Sequence, residues 1–336
     1  GFSPMSTPTA NRTCLAGTLA AAVLAVLAMA LASAQPTDAA RLRPALAAPL
    51  AGKAPLTAVA RAGDAWVAVG DYGVVLRTDD GRNWRQAQSV PVDTLLTATS
   101  FVSADVGWAV GHGGVVLATR DGGRNWSTLA LLEGAPALLS VWFRDPQRGI
   151  VTGAYGAAFG TRDGGRTWSP LTVGRGRDAE LHLNHVFAAG ETLFIAGESG
   201  AAFRSADGGE SWARLATGVA GSLWTGVALR SGTVLLAGMS GRLLASRDEG
   251  QSWAVLDTGT DQALASVIEV DDGGVIAVGT GGAVVRVDAA LEKVRLEVRP
   301  DRQNLAAVAA LPTGVAFFGQ QGIVAASAAS QQGGER

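Results

Sequence analysis

The sequence has few of the residues on which covalently stabilised proteins and many enzymes depend. Its 336 residues include one cysteine, three histidines and two tyrosines, and only 17% of the residues are charged. Because Cys14 is the single thiol, no disulfide can form within the chain. The three histidines are not at the spacing of a zinc site. We infer that packing alone stabilises the folded part, and we predict neither a metal nor a cofactor.

An excess of charge of one sign is also missing. The formal net charge is −2, whereas nucleic-acid binding needs a basic surface, so we predict no nucleic-acid partner. Hydrophobic residues make up 48% of the chain, which excludes the intrinsically disordered classes and is ample for a large core.

Residues 1–34 have the pattern of an export signal. Arg12 supplies the positive charge, residues 15–31 form an apolar run, and Ala32-Ser33-Ala34 is a small-residue cleavage site. Residues 1–4 precede the first methionine and are interpreted as a leader remnant. An uncleaved membrane anchor is the alternative, since 17 residues is near the lower limit for a span. We favour cleavage and predict an exported, periplasmic protein.

A short motif, Gly-x-x-Gly, returns at an almost constant interval. Successive copies are 41, 42, 44, 41, 41 and 40 residues apart, with first glycines at Gly70, Gly111, Gly153, Gly197, Gly238, Gly279 and Gly319. A period of about 40 residues that contains only strand-type segments is typical of a propeller. The repeat therefore predicts an all-β, seven-bladed β-propeller formed as one domain.

Each copy has segments for four short strands separated by turn residues, which predicts one four-stranded antiparallel blade per copy. The seventh copy lacks residues for a fourth strand. We predict that residues 45–53 supply this outer strand of the last blade, because an incomplete ring would leave strand edges unpaired. The expected organisation is a linker over 35–44, the propeller over 45–327 and a disordered tail over 328–336.

A second motif, [Ser/Thr]-x-Asp-x-Gly-x-x-Trp, follows the third predicted strand in most copies. Its hydroxyl and carboxylate oxygens can accept backbone N–H bonds across a tight hairpin, which its tryptophan can cover. Catalysis by these aspartates is the alternative, but residues repeated around a ring cannot converge on one substrate. We interpret them as framework. These residues are Asp80, Trp84, Asp121, Trp126, Asp163, Trp168, Asp207, Trp212, Asp248 and Trp253.

Both motifs are complete in VGHGGVVLATRDGGRNW (110–126) and TGAYGAAFGTRDGGRTW (152–168). This combination resembles the Asp-box, or bacterial neuraminidase repeat, propellers, which include sialidases, sortilin-like receptors and photosystem II assembly and stability factors. The last group is the most similar, over essentially the whole chain after the leader. The resemblance implies a non-catalytic propeller that is exported or lies in the thylakoid lumen. Photosynthetic members bind a reaction-centre precursor protein, whereas relatives in other bacteria have an unassigned partner.

The resemblance to sialidases raises the alternative of a glycan-active protein, either a hydrolase or a lectin. A sialidase would need a tyrosine nucleophile paired with a glutamate, and an early Arg-Ile-Pro motif. Only Tyr72 and Tyr155 are present, both in the same slot of the Gly-x-x-Gly turn, and Arg43-Pro44 lacks the isoleucine. We therefore predict a protein without enzymatic activity.

Partner-binding residues are expected where the copies differ, because the repeated positions are framework. The two residues inside each Gly-x-x-Gly turn vary, and two loops between blades have additional charge. These turns and loops should share one face of the disc, with the box hairpins on the other, and loops on a rigid scaffold usually carry function. The candidates are Asp71, Tyr72, His112, Tyr155, Arg175, Arg177, Asn184, His185, Glu198, Arg299, Arg302 and Gln320.

The functional prediction is an exported, monomeric scaffold with an assembly or accessory role. Its partner would be a membrane protein or the exported segment of one. Association with the membrane would occur through that partner or through an uncleaved signal.

Overall fold

The computed structural model describes residues 42–324, which form seven antiparallel β-sheets arranged as the blades of a ring. The predicted signal peptide and tail lie outside the described residues. Each blade's first strand lies beside the first strand of the next blade, and the first strand of blade 7 lies beside that of blade 1. The seven-bladed propeller predicted from the repeat is confirmed.

Six blades have four strands in sequential order, and the described part of the seventh has three. The first strands are β1 (Leu56–Ala62), β5 (Leu96–Phe101), β9 (Leu138–Phe143), β13 (Leu183–Ala189), β17 (Leu223–Ala228), β21 (Leu264–Glu269) and β25 (Leu305–Leu311). The second strands are β2 (Ala65–Gly70), β6 (Gly107–Gly111), β10 (Gly149–Gly153), β14 (Thr192–Gly197), β18 (Val234–Gly238), β22 (Val275–Gly279) and β26 (Gly314–Gly319). The third strands are β3 (Val75–Thr78), β7 (Val115–Thr119), β11 (Ala158–Thr161), β15 (Ala202–Ser205), β19 (Leu243–Ser246), β23 (Ala283–Val287) and β27 (Gly322–Val324). The outer strands are β4 (Arg85–Gln86), β8 (Ser127–Leu131), β12 (Ser169–Pro170), β16 (Ala213–Leu215), β20 (Ala254–Leu256) and β24 (Val294–Val298).

The described helical structure is confined to single 3-10 turns. They are Ala51–Lys53, Asp71–Gly73, Ala154–Gly156, Gly176–Asp178, Glu198–Gly200, Met239–Gly241 and Thr280–Gly282. Five of them occupy the Gly-x-x-Gly motif and connect the second strand of a blade to the third. No helix among residues 42–324 is long and apolar enough to span a membrane.

Each first strand begins with a leucine that is at most 2% exposed. The second strands are almost entirely buried, because neighbouring blades cover both of their faces. This explains their near-continuous runs of Val, Ile, Leu and Ala, since a strand with two buried faces does not need alternating polarity. The core therefore lies between the blades, and one apolar cluster joins Leu76 of blade 1 to Phe318 of blade 7.

Polar side chains near the centre of the ring join first strands. The Thr57 hydroxyl donates a hydrogen bond to the carbonyl of Leu96 in blade 2, at 2.6 Å. Thr97 does the same to Leu138 in blade 3, at 2.7 Å. These bonds join the first strands of neighbouring blades directly and help to fix the spacing between them.

The outer strand predicted over residues 45–53 is absent, and this expectation was wrong. The segment contains a turn and the 3-10 turn Ala51–Lys53 instead. Pro49 has no N–H to donate to a ladder, which disfavours a strand here. The Ala45 N–H donates to the Val90 carbonyl of blade 1. The Gly52 carbonyl packs directly against Gly322 of blade 7, so that a Cβ on this glycine would lie 2.0 Å from the oxygen. The segment thus contacts both blades at the closure without extending the last sheet.

The box hairpins have the bonding expected from the sequence. In blade 2, the Thr119 hydroxyl donates to Asp121 and accepts the Gly123 N–H at 3.0 Å. The same carboxylate accepts the Asn125 N–H at 2.9 Å. The Trp126 indole N–H donates to the Gly123 carbonyl at 3.1 Å, so the ring closes over the hairpin. Equivalent bonds occur in blades 3 and 4.

Candidate protein-binding face

The Gly-x-x-Gly turns and the loops that lead into the blades lie on one face of the ring, which we call the turn face. In blade 1, the Asp71 N–H donates to the carbonyl of Pro55, just before β1. The Gly73 N–H donates to Thr94, just before β5 of the next blade. The bond from the first residue inside the turn to the carbonyl before the blade's own first strand is at most 3.0 Å long in six blades and 3.4 Å in blade 7. Each turn is thereby held against its own blade, and the turns of blades 1, 2 and 3 are also bonded to the loop that leads into the next blade.

The second residue inside the turn adopts a left-handed backbone in four blades where it is not glycine. These residues are Tyr72 (φ 56°), Tyr155 (φ 54°), Ser199 (φ 54°) and Ser240 (φ 56°). Gly113 and Gly281 occupy this slot in blades 2 and 6. Glycine tolerates this conformation, whereas a side chain is strained by it. Tyr72 and Tyr155 are 64% and 67% exposed.

Tyr155 belongs to a small cluster of polar and aromatic groups that the sequence analysis did not assemble. Its ring meets His182 edge-on, with centroids 4.9 Å apart. The Glu198 carboxylate accepts a hydrogen bond from the backbone N–H of His182 at 3.1 Å. His182 comes just before β13, and its carbonyl accepts the Glu198 N–H of the turn. Its position just before a first strand is the sequence signal that would have placed it on this face.

The loop between blades 3 and 4 presents Arg175 and Arg177, and both are exposed. Neither forms an ion pair within residues 42–324. Asp178 of the same loop forms an ion pair with Arg214, whose guanidinium donates to the carboxylate at 2.8 Å. The two arginines outnumber Glu180, the exposed acidic residue of the same loop that forms no ion pair in the described part of the chain, so the loop presents a net positive charge.

The candidates Arg299 and Arg302 differ in their surroundings. Arg299 is 9% exposed, bonds to Asp301 at 2.8 Å, and lies over the Phe317 ring with its guanidinium carbon 5.5 Å from the centroid. This bonding holds the pKa of Asp301 below its ordinary value. Arg302 is exposed and has a left-handed backbone, with φ 47°. Arg299 therefore supports the loop, and Arg302 is the accessible one.

Asn184 and His185 lie on β13 and contact the next blade. The Asn184 amide donates to the Leu223 carbonyl at 2.8 Å. The His185 Nδ1 accepts the Gly226 N–H at 3.1 Å, which places the ring proton on Nε2. Burial lowers the pKa of His185 to about 4. Both side chains join blades 4 and 5.

Of the remaining candidates, His112 and Gln320 are exposed in their turns. The Asp71 carboxylate accepts the N–H of Tyr72 at 2.8 Å and so stabilises the strained turn. The candidates in the turns and loops thus lie on the turn face, whereas Asn184 and His185 lie on β13 and contact blade 5. All of them remain predictions as binding residues.

The opposite face carries the boxes, whose aspartates accept hydrogen bonds from within their own hairpins. In three boxes a hydroxyl hydrogen bond lowers the pKa of the aspartate to about 2, and the three are Asp163, Asp207 and Asp248. The degenerate sixth box keeps this role, since Asp288 accepts the N–H groups of Glu292 and Lys293 at 2.8 and 2.9 Å. Within residues 42–324 no group of three acidic, histidine or cysteine side chains is arranged to hold a metal.

Comparison with known proteins agrees with this geometry. The sequence model for the photosynthesis system II assembly factor YCF48 matches residues 124–289. Among curated proteins, none matches the chain significantly. A structure of YCF48 bound to D1 peptide has a TM-score of 0.67 and 18% identity, covering 83% of this chain and 94% of the other. YCF48 from Cyanidioschyzon merolae has a TM-score of 0.64 and 20% identity, covering 82% and 96%.

The fold is shared more widely. The RRP9 WD40 repeats have a TM-score of 0.65 at 11% identity and cover 85% of this chain and 92% of their own. At such identities the structural matches show the fold alone, so the family model and the motifs are the more specific observations. Together they show a seven-bladed propeller that is similar to the photosystem II assembly factors.

Proposed function

We propose that this protein is an exported, non-enzymatic scaffold that holds an extended segment of another protein on its turn face. The partner would be a membrane protein or an exported part of one, and the scaffold would act during its assembly. The periplasm is the proposed compartment, or the thylakoid lumen in a photosynthetic organism. The observation that carries this proposal is the difference between the two faces of the ring.

On the box face, the same hydroxyls and carboxylates recur and bond to one another, and three of the indoles donate to a glycine carbonyl of their own hairpin. On the turn face, the residues differ from blade to blade and are largely exposed, while the backbone beneath them is fixed by repeated hydrogen bonds. A rigid rim that displays variable side chains is the arrangement by which loops on a scaffold usually recognise a partner.

The similarity to YCF48 favours a peptide as the bound segment, since one YCF48 structure contains a D1 peptide. The sequence favours a role other than sialidase-type catalysis, because its two tyrosines share one slot of the Gly-x-x-Gly turn and it has no Arg-Ile-Pro motif. Turnover of a sialoside or another glycoside by the purified protein would contradict the proposal.

Affinity purification from the native membrane fraction tests the proposal directly. We expect the wild-type chain to retain a membrane protein, and the Arg175→Ala, Arg177→Ala, Arg302→Ala triple variant to retain much less of it. The matched control is Arg82→Ala, Arg120→Ala, Arg166→Ala, which removes the same charge from the exposed box face. Equal retention by both variants and the wild type would show that the turn face is not the binding surface.

A further inference from the structure

The two tyrosines of the chain occupy the same unfavourable position on two different blades. Both are the second residue of a Gly-x-x-Gly turn, and both have a positive φ, 56° at Tyr72 and 54° at Tyr155. The other blades place Gly, Ser or Gln at this slot. Any residue with a Cβ is strained in the left-handed region, so Ser199 and Ser240 share this cost, but the tyrosines add a large apolar ring to it.

Local packing does not offset this strain at Tyr72. Its side chain is 64% exposed, and its ring has no aromatic partner in the described part of the chain. Tyr155 is 67% exposed and touches the ring of His182, but most of its surface faces solvent. Strained residues that remain exposed are concentrated at binding sites, where the strain fixes the direction of the side chain.

The two tyrosines lie on blades 1 and 3, on either side of blade 2. Between them, blade 2 presents the exposed imidazole of His112. Beside blade 1, Leu46 and Leu50 of the N-terminal segment are 81% and 73% exposed. Blades 4 to 7 carry polar or small residues in the corresponding turns, apart from Met239. We call Leu46, Leu50, Tyr72, His112 and Tyr155 the aromatic arc.

The charge beside the arc indicates what it would bind. At the Tyr155 end lie Arg175 and Arg177, which are exposed and have no ion-pair partner within residues 42–324. An occupant that extends from Tyr72 towards this loop would gain from apolar side chains along the arc and from an acidic group at its end. Tyrosine suits such contacts, because it offers a large contact area with little rotamer freedom to lose.

We propose that the aromatic arc binds an extended peptide segment with apolar side chains and an acidic residue, with Tyr72 and Tyr155 as its principal anchors. This inference rests on the proposed function and specifies which part of the turn face recognises the partner. It also explains why the chain keeps tyrosine where glycine would be less strained.

The test is selection from a phage-displayed library of random peptides with the full chain. We expect selected peptides to combine apolar residues with an acidic residue. Synthetic copies should then bind the Tyr72→Gly, Tyr155→Gly variant roughly tenfold more weakly, as expected for the loss of interface anchors. The matched control is Ser199→Gly, Ser240→Gly, which makes the same backbone change on blades 4 and 5 and should bind like the wild type. Thermal unfolding of both variants shows whether the fold is intact.

The outcomes separate the two proposals. If the tyrosine variant unfolds at or above the wild-type temperature and binds the peptides equally well, the arc is not the recognition surface, although the scaffold function stands. If the serine control weakens binding as much as the tyrosine variant, the anchors lie elsewhere on the turn face. If the wild-type chain selects no peptide, both proposals are wrong.

Discussion

The ring of Trp84 in blade 1 meets the ring of Phe318 in blade 7 edge-on, with centroids 5.5 Å apart and an interplanar angle of 76°. The pair lies where blade 7 meets blade 1, and blade 7 has three strands in the described residues. Aromatic pairs in this arrangement are favourable beyond the area that they bury. Side-chain packing therefore supports the closure that the predicted N-terminal strand does not provide.

We expect Phe318→Ala to lower the free energy of unfolding by about 3–5 kcal/mol, because the side chain is fully buried and its loss leaves a cavity at the closure. Denaturant unfolding followed by tryptophan fluorescence measures this. The control is Val255→Ala on an outer strand, where the side chain is 54% exposed and a change within about 0.5 kcal/mol is expected. Similar losses of unfolding free energy in the two variants would show that packing at the closure contributes no more to stability than an exposed outer-strand side chain.

The hydroxyl links between first strands make a second prediction. Thr57→Val keeps the shape of the side chain but removes the donor to the Leu96 carbonyl, so we expect a loss of about 1–2 kcal/mol. Thr97→Val should cost a similar amount through Leu138. The exposed Thr172→Val serves as the control, measured in the same unfolding experiment. No loss at either inner position would show that water replaces these bonds.

The period of the repeat was enough to predict the number of blades and the two faces, because a propeller repeats its backbone bonding at fixed sequence intervals. What it could not predict depends on contacts between distant residues. The strand over 45–53 was predicted because the seventh copy lacks a fourth strand. In the structure, Pro49 and the bond from Ala45 to Val90 direct this segment along blade 1 instead. The burial of Arg299 beneath its loop, and the contact of His182 with Tyr155, likewise arise only in three dimensions.

A groove between blades 3 and 4 makes a third prediction. The residue at the second-last position of the third strand is Arg77 in blade 1, and its guanidinium donates to Gly122 of the next blade at 2.9 Å. Arg204 likewise reaches Glu249 from blade 4. Blade 3 has Gly160 at this position, and a groove of about 550 Å³ lies beside it, bordered by Gly208 of the next box.

Gly160→Arg should therefore raise the free energy of unfolding by about 1 kcal/mol, since it removes a glycine from a strand and supplies a donor for the Gly208 carbonyl. A Cβ at this position meets Leu171 only at ordinary contact distance, 3.4 Å. Gly160→Ala is the control, because it makes the backbone change without the guanidinium. Equal stability of the two variants would show that the new side chain does not reach the next blade.

The last prediction concerns acid and rests on His185. Its pKa of about 4 lies below the ordinary value of 6.5, so the unfolded chain takes up a proton at a higher pH than the folded chain does. The resulting stability is complete above pH 6.5 and is lost as the pH falls towards 4, by at most ~3 kcal/mol. The box aspartates titrate lower, because their pKa values of about 2 keep them ionised at pH 4.

Two separate phases of acid destabilisation should follow. We expect His185→Gln to flatten the dependence of the unfolding free energy on pH between 6.5 and 4, because a glutamine oxygen can still accept the Gly226 N–H without titrating. The decline below pH 4, where the boxes lose their charge, should remain. Denaturant unfolding at a series of pH values measures both phases, with the exposed His112→Gln as the control. If the slope between pH 6.5 and 4 survives in His185→Gln, then the imidazole between blades 4 and 5 is not its source.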